Sequence, residues 1–441
     1  MESASNAASK VYEVNSILFG RDIRVQKFRL TNGLQVIVME DHSAPIFAYH
    51  TWFDVGSRNE REGSTGIAHL FEHLMFKETK NQPEGAFDRA LEEQGGRVNA
   101  ATYMDWTFFR ESLPAQAFSL IPPLEADRMQ NMILNDKQVN AEREVVANER
   151  RFRTDNSPSG LMYEKLYRAA FTTHPYYWPV IGWMKDIESI TTAECVRFHS
   201  TYYAPNNATV VVVGDVRAED VLKRINDAYG KVPSSKLQPE KIPVEPQQTA
   251  ERRVTLEQPL PSEKLLVAYK SAASVHADFP ALQVLNSVLF DGKSSRLYRR
   301  LVTDGQIASD VGSWVNQTKD PGLFIMDITI RPERKAAEAE KAIYEELGRL
   351  GREAVPEREM EKAKNRLETS FWQGFRTDDD KAQALGFYET AERDYRRLFE
   401  EVPRYRSVKV ADVMRAAKAY FGAESRTVVT AYPQKKGVSK E

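Results

Sequence analysis

The sequence predicts an α+β protein of two related domains, each a mostly antiparallel sheet packed with helices, joined by a linker. Three observations carry that expectation. The chain has 441 residues, about twice the size at which one hydrophobic core stops growing. Strand-like and helix-like segments alternate along it. The same order of segments then appears twice, on either side of a proline-rich polar stretch.

In the first half, the β-rich runs LQVIVME and IFAYHTWFDVG precede a glycine-rich turn. An apolar helix is expected at GIAHLFEHLMF, a second at QPEGAFDRALEEQ, and a strand around VNAATYMDWTFFRESL. Long amphipathic helices follow at LIPPLEADRMQNMIL and AEREVVANERRF. The half closes on TYYAPNNATVVVVGDV, a helix end, a turn and a buried strand. From Pro233 to Arg253 the chain holds four prolines and no periodic apolar pattern, which reads as an extended linker. The second half repeats the plan. LLVAYKSA is strand-like, ALQVLNSVLFDG and SSRLYRRLVTDG are helical, GLFIMDITI is a strand, and PEREMEKAKNRLETSFWQGF is a long helix. AYFGAESRTVVTAYP then mirrors TYYAPNNATVVVV. The expected domains are residues 20–232 and 254–434, with the linker at 233–253.

Composition narrows the function. Apolar residues make up 41% of the chain and charged residues 28%, as in ordinary soluble globular proteins. Sixty-one basic residues against sixty-three acidic ones leave a formal charge of −2, which gives no reason to expect nucleic acid or an anionic membrane as partner. The single cysteine, Cys195, excludes an intramolecular disulfide and a cysteine-based zinc cluster; it is expected as a small buried apolar residue. The N-terminal MESASNAASKVYEVNS lacks the basic start and apolar core of a signal peptide. The longest aliphatic run, Val210 to Val213, is too short to span a bilayer. A soluble protein is expected, cytoplasmic or, with a signal removed, periplasmic.

The chemistry concentrates in HLFEH. His69 and His73 are four residues apart, so on a helix they point to one face a turn apart. Two neutral imidazoles so placed can share one zinc, leaving positions for a third ligand and a water. Glu72 falls in the same sector, close to that water and badly placed as a ligand, so it is the expected general base. Leu70, Phe71, Leu74, Met75 and Phe76 mark the helix as buried, and imidazoles and a carboxylate in apolar surroundings need a shared partner. The motif is H-x-x-E-H, the reverse of the commoner H-E-x-x-H order. For the third ligand, AEREVVANERRF offers Glu142, Glu144 and Glu149. Glu142 and Glu149 are two turns apart on one face and Glu144 points elsewhere; spacing alone does not choose among them.

The run GSRNEREGSTGIAHLFEHLMFKET, then NAATYMDWTFF, NAEREVVANE and HPYYWPVIG, closely resembles the pitrilysin, insulinase and mitochondrial processing peptidase family. The resemblance implies one zinc per chain. It places the third ligand about 76 residues beyond the second histidine, at Glu149, with Glu142 as the carboxylate that orients the ligands. It also implies an edge strand at Asn99 and Ala100, where an extended peptide adds by main-chain hydrogen bonds. Residues 20–232 are then the catalytic zinc-binding domain and 254–434 the inactive homologous one, in which Gln283, Asn286 and Ser287 stand where His69, Glu72 and His73 do.

One departure bears on assembly. Many family members carry an R-x6-Y pair in the second half that grips substrate near the zinc, and here Val302 and Ser309 hold those positions. Val302 cannot donate a hydrogen bond from its side chain. A homologous partner subunit supplying the Arg/Tyr pair is therefore expected, giving a heterodimer; a homodimer is the other arrangement. The chain's length matches one half of the clamshell that encloses substrate in longer members. The implied activity is hydrolysis of peptides or unfolded polypeptides in a closed chamber. The rival is a non-catalytic structural or peptide-binding subunit of a processing complex; zinc storage or sensing is a third reading.

Overall fold

The computed structural model describes residues 10–19, 23–238 and 241–434, so the first nine residues of the segment read for a signal peptide lie outside it. The fully apolar run Ala208–Gly214 becomes strand β7, buried along its whole length, as expected of a strand covered on both faces. Seven strands form the first sheet: β1 (Val11–Phe19), β2 (Ile23–Leu30), β3 (Gln35–Glu40), β4 (Ile46–Phe53), β5 (Arg97–Thr102), β6 (Thr107–Pro114) and β7. Their order is β1-β2-β3-β7-β4-β6-β5. The single strand expected around VNAATYMDWTFFRESL is in fact the hairpin β5–β6, and β5 is the edge of the sheet.

The second sheet contains β8 (Arg252–Gln258), β9 (Lys264–Lys270), β10 (Ala308–Val315), β11 (Leu323–Ile330) and β12 (Arg426–Pro433). Read from β8, its order β8-β12-β9-β11-β10 repeats β3-β7-β4-β6-β5 strand for strand. In each series the first pair is parallel and the rest antiparallel, β3 with β7 and β8 with β12 being the parallel pairs. The hairpin β1–β2 extends the first sheet alone. The fold is thus a duplicated α+β unit, each copy a mostly antiparallel sheet with helices. Among the described residues no helix is long and apolar enough to cross a membrane.

Eight helices carry the motif residues, cover the two sheets or take the equivalent places in the second copy: α1 (Ile67–Leu74), α2 (Ile121–Asn131), α3 (Asp136–Arg150), α4 (Pro158–Ala170), α5 (Thr192–Tyr202), α6 (Phe279–Phe290), α7 (Glu357–Gln373) and α8 (Asp378–Glu392). The chain forms two compact units from interleaved segments. The first takes residues 1–147, 180–241 and 374–399, the second 148–179, 242–373 and 400–441. Helix α3 runs unbroken through the boundary at 147. Each unit borrows one helix from the other half of the chain. In the second unit, α4 lies on the sheet, where Tyr163 donates to Asp327 at 2.6 Å and Lys264 to Ser159 at 3.0 Å. In the first unit, α8 covers β4 and β7; Asp379 takes His50 at 2.9 Å and Arg110 at 2.7 Å, and Lys27 pairs with Glu389.

A charged cluster lies in the first core. Arg128 of α2, 2% exposed, donates to Glu111 at 3.0 Å and pairs with Glu125, while Thr51 donates to Glu125 at 2.9 Å. Its guanidinium lies 4.5 Å from the ring centre of Phe109 and 4.6 Å from that of Phe87, a placement favoured by the negative faces of those rings. Burial holds the Glu111 carboxyl well above the usual range, helped by the neighbouring Glu125 charge and opposed by Arg128.

Helix α8 seats closely because Gly386 has no side chain: a Cβ there would lie 2.0 Å from Nε1 of the buried Trp52. Gly386→Val is therefore expected to destabilise the protein by about 1–3 kcal/mol. Thermal unfolding would show a melt several degrees lower, and an unchanged melt would contradict this account of the packing.

Candidate metal centre

Helix α1 has only eight residues, too few to be stable alone. Its N-cap, Gly66, has a left-handed backbone (φ 89°) and supplies no capping side chain. Glu60, buried six residues upstream, caps it instead: one carboxylate oxygen accepts from Gly66 N and the other from Ala68 N, both at 2.9 Å. A carboxylate at this end also complements the helix dipole. Burial pushes the Glu60 carboxyl well up, and the two amide bonds oppose that rise. Next to it, Thr65 donates through its hydroxyl to Asp186 at 2.7 Å. Gly182, from the HPYYWPVIG stretch, approaches so closely that a Cβ would lie 2.6 Å from Gly66 N. The packed face of α1 is Ile67, Ala68, Leu70, Phe71 and Leu74. Phe71 stacks on Phe198 of α5 with ring centres 5.6 Å apart. Cys195 of the same helix is fully buried, and burial pushes its thiol up to about 12, the inert state expected of a small core residue.

With α1 fixed, His69 and His73 present their rings to one side, 5.0 Å apart at 69°. Helix α3 carries Glu149 on its last turn. One ligand atom from each of His69, His73 and Glu149 lies within 4.8 Å of the others, and all three residues are half-buried. Two imidazoles and a carboxylate form a donor set that suits a tetrahedral zinc with one open position. Arg153 holds Glu149 Oε1 at 2.8 Å from the solvent side. Glu144 is exposed.

Glu142, two turns before Glu149, is buried and lies 3.5 Å from His73 Nδ1 and 2.6 Å from Lys77 Nζ. Burial pushes its carboxyl up, but the hydrogen bonds from His73 and Lys77 outweigh burial and hold it below its ordinary value. Lys77 is raised in return: burial lowers it, and Glu142 and Glu84 more than compensate. Glu72 is half-buried on α1 between the two histidines. On the edge strand β5, which packs beside α1, Asn99 is exposed and Ala100 half-buried. The Ala100 N–H donates to the Asn99 side-chain oxygen at 2.9 Å.

Glu60, Lys77 and Asp186 were not singled out by sequence. Glu60 lies six residues before the N-cap, outside the local spacing of a capping motif, so it carries no capping signal in sequence. Lys77 does fall one turn past His73, a spacing that could have marked it.

In the second unit, α6 corresponds to α1. Asn286 accepts from the hydroxyl of Ser313 on edge strand β10, and Ser287 donates to the Ala363 carbonyl at 3.4 Å. Gln283 is half-buried on the same helix. Val302 is half-buried, and Ser309 donates to the Thr329 carbonyl at 3.3 Å.

Comparisons with known proteins identify the family. The family model described as insulinase (peptidase family M16) matches residues 35–182, and the M16 inactive-domain model matches 189–367. The chain is 34% identical to a Helicobacter pylori protein named zinc protease PqqE, over 92% of each chain. It is 27% identical to a probable mitochondrial-processing peptidase subunit beta of Arabidopsis thaliana, over 70% of this chain and 60% of that one. A crystal structure of a protease from Helicobacter pylori superposes with a TM-score of 0.87 at 33% identity, covering 93% of this chain and 99% of that one. With its two sheets, its HxxEH helix and these relatives, the chain belongs to the M16 peptidase family.

Proposed function

We propose that the protein is a zinc-dependent endopeptidase that hydrolyses peptides or unfolded polypeptides, with His69, His73 and Glu149 as ligands of one zinc per chain. The observation that carries this reading is the convergence of those three side chains within 4.8 Å, with Glu72 on the same short helix as the two histidines. Zinc bound there would polarise the scissile carbonyl and acidify a water. Glu72 takes the proton of the attacking water and returns it to the departing amine. Glu142 accepts from His73 Nδ1, which orients the imidazole and selects its tautomer. The exposed backbone of β5 receives the substrate as an added strand, the peptide carbonyl replacing Asn99 as the acceptor for Ala100 N–H.

The second unit, with Gln283, Asn286 and Ser287 in place of the HxxEH residues, serves as scaffold and wall. We further propose a heterodimer, because Val302 and Ser309 leave the Arg/Tyr substrate grip to a homologous subunit; the Arabidopsis relative is itself named as a subunit. The chamber that excludes folded proteins would belong to that assembly. A non-catalytic subunit is the weaker reading, since His69, Glu72, His73 and Glu149 are all present and placed together.

Glu72→Gln is expected to retain one zinc per chain by elemental analysis while turnover of a quenched peptide falls about 10²–10⁴-fold; near-normal turnover would remove Glu72 from the mechanism. Ala100→Pro deletes one edge N–H at a position where proline is tolerated. KM should rise roughly three- to tenfold with little change in kcat, the worth of one hydrogen bond, and an unaltered KM would argue against β-strand addition here. The native complex isolated from its source cells should contain a second, related chain of similar length by mass measurement, whereas a plain monomer would dispose of the heterodimer.

A further inference from the structure

Beyond the ligands and Glu142, Lys77 is a charged group with a defined geometry. The Glu142 carboxylate is held at both oxygens: Oε2 is 3.5 Å from His73 Nδ1 and Oε1 is 2.6 Å from Lys77 Nζ. Lys77 follows His73 by four residues, just past the end of α1, where its backbone N–H still bonds the Leu74 carbonyl at 2.9 Å. Its ammonium also reaches Glu84 at 2.9 Å. The Glu142 side chain is 7% exposed and that of Lys77 23%, so their contact is shielded and is worth more than a surface ion pair.

We propose that Lys77 is a positioning residue of the metal centre, holding one oxygen of Glu142 so that the other faces His73 Nδ1 and leaves His73 Nε2 toward the ion. The inference rests on the reading of His69, His73 and Glu149 as zinc ligands. Its physical basis is the terminal torsion of glutamate, which is broad and poorly defined by its own rotamer preference. A carboxylate with a single partner can turn about that bond and lose the alignment of its free oxygen. A second contact, on the opposite oxygen, fixes the plane. Lysine suits the role because its ammonium is a compact point charge that needs only one acceptor geometry. Because Lys77 and His73 ride on the same short segment, the carboxylate of α3 is gripped at two points by one rigid piece, and the imidazole cannot turn without breaking the arrangement. Groups behind metal ligands typically change affinity by about 10- to 100-fold when removed.

The test uses the full chain with Lys77→Met and Lys77→Arg, each compared with the wild type. Zinc affinity is measured by competition with a chelator, the melt of the metal-free protein is recorded, and the His73 Nδ1 proton is followed by NMR in the zinc-loaded state. Lys77→Met should bind zinc about tenfold more weakly and lose the exchange-protected Nδ1 proton, with the metal-free melt lowered by only a few degrees; Lys77→Arg should recover most of the affinity and the proton. Zinc affinity within twofold of wild type, or a weakening with an intact Nδ1 proton, would overturn the proposal. A wild-type protein that binds no zinc would instead overturn the ligand assignment itself, and this inference with it.

Discussion

Everything at the site depends on holding an eight-residue helix at a fixed rotation against the sheet. His69, Glu72 and His73 occupy little more than one turn of α1, so any rotation of the helix moves all three together. The helix is too short for its own hydrogen bonds to stabilise it. Its N-terminal end is held by Glu60, Thr65 with Asp186, and the close approach of Gly66 and Gly182. The far end is held by Lys77 and His73 on Glu142. Between the ends, Leu70, Phe71 and Leu74 are buried against the core. Electrostatic anchors set the ends and apolar packing sets the roll, and neither would suffice without the other.

The same logic extends outward. Helix α3 must present Glu149 at the height of the two imidazoles; Val139, Val146 and Ala147 seat it in the core, and polar contacts add to them. Gln138 bonds Glu78 at 2.7 Å, and Arg143 donates to the Ile190 carbonyl at 2.7 Å. Burying polar groups is tolerated only when they find partners, so these contacts specify register and not just proximity. Beneath the site, Arg128 and its two glutamates tie α2 to β6 among aromatic rings. A buried ion cluster contributes little net stability but penalises any arrangement in which its members separate.

Much of this was legible in the sequence because its signals are local. The valine run of β7, the β-rich run of β4 and the apolar stripe of α1 each announce their element without reference to the rest. The repeated order of segments was also legible, and the strand order of the two sheets matches it. Four strands went unread for a common reason: β1, β2, β8 and β10 are edge or near-edge strands with polar or glycine-containing sequences, and a half-exposed strand carries a weak pattern. Strand β8 even begins at Arg252, inside the stretch that reads as linker. The exchange of α4 and α8 between the halves left no trace at all. An amphipathic helix announces that it has an apolar face, not which sheet that face will cover. At the site, helical spacing paired His69 with His73, but Glu142, Glu144 and Glu149 could be sorted only by counting along a known family pattern, since their roles depend on the rotation of a second helix.

The two units together separate what the fold supplies from what the side chains supply. Both have the same strand order, and both set an apolar helix beside an edge strand. In the first, that helix carries two imidazoles that meet the Glu149 carboxylate of α3 within 4.8 Å, a donor set that a cation would balance. In the second, the equivalent helix offers Asn286 and Ser287, and each closes on a neighbour, Ser313 and the Ala363 carbonyl. Neutral groups that satisfy one another leave no demand for an ion. Counting 76 residues on from Ser287, as from His73 to Glu149, reaches Ala363, whose methyl side chain has nothing to offer a metal. The scaffold therefore permits a metal centre in either unit and compels one in neither. What distinguishes the units is the donor set: the first gathers two imidazoles and a carboxylate, the second an amide and a hydroxyl that bond to neighbours.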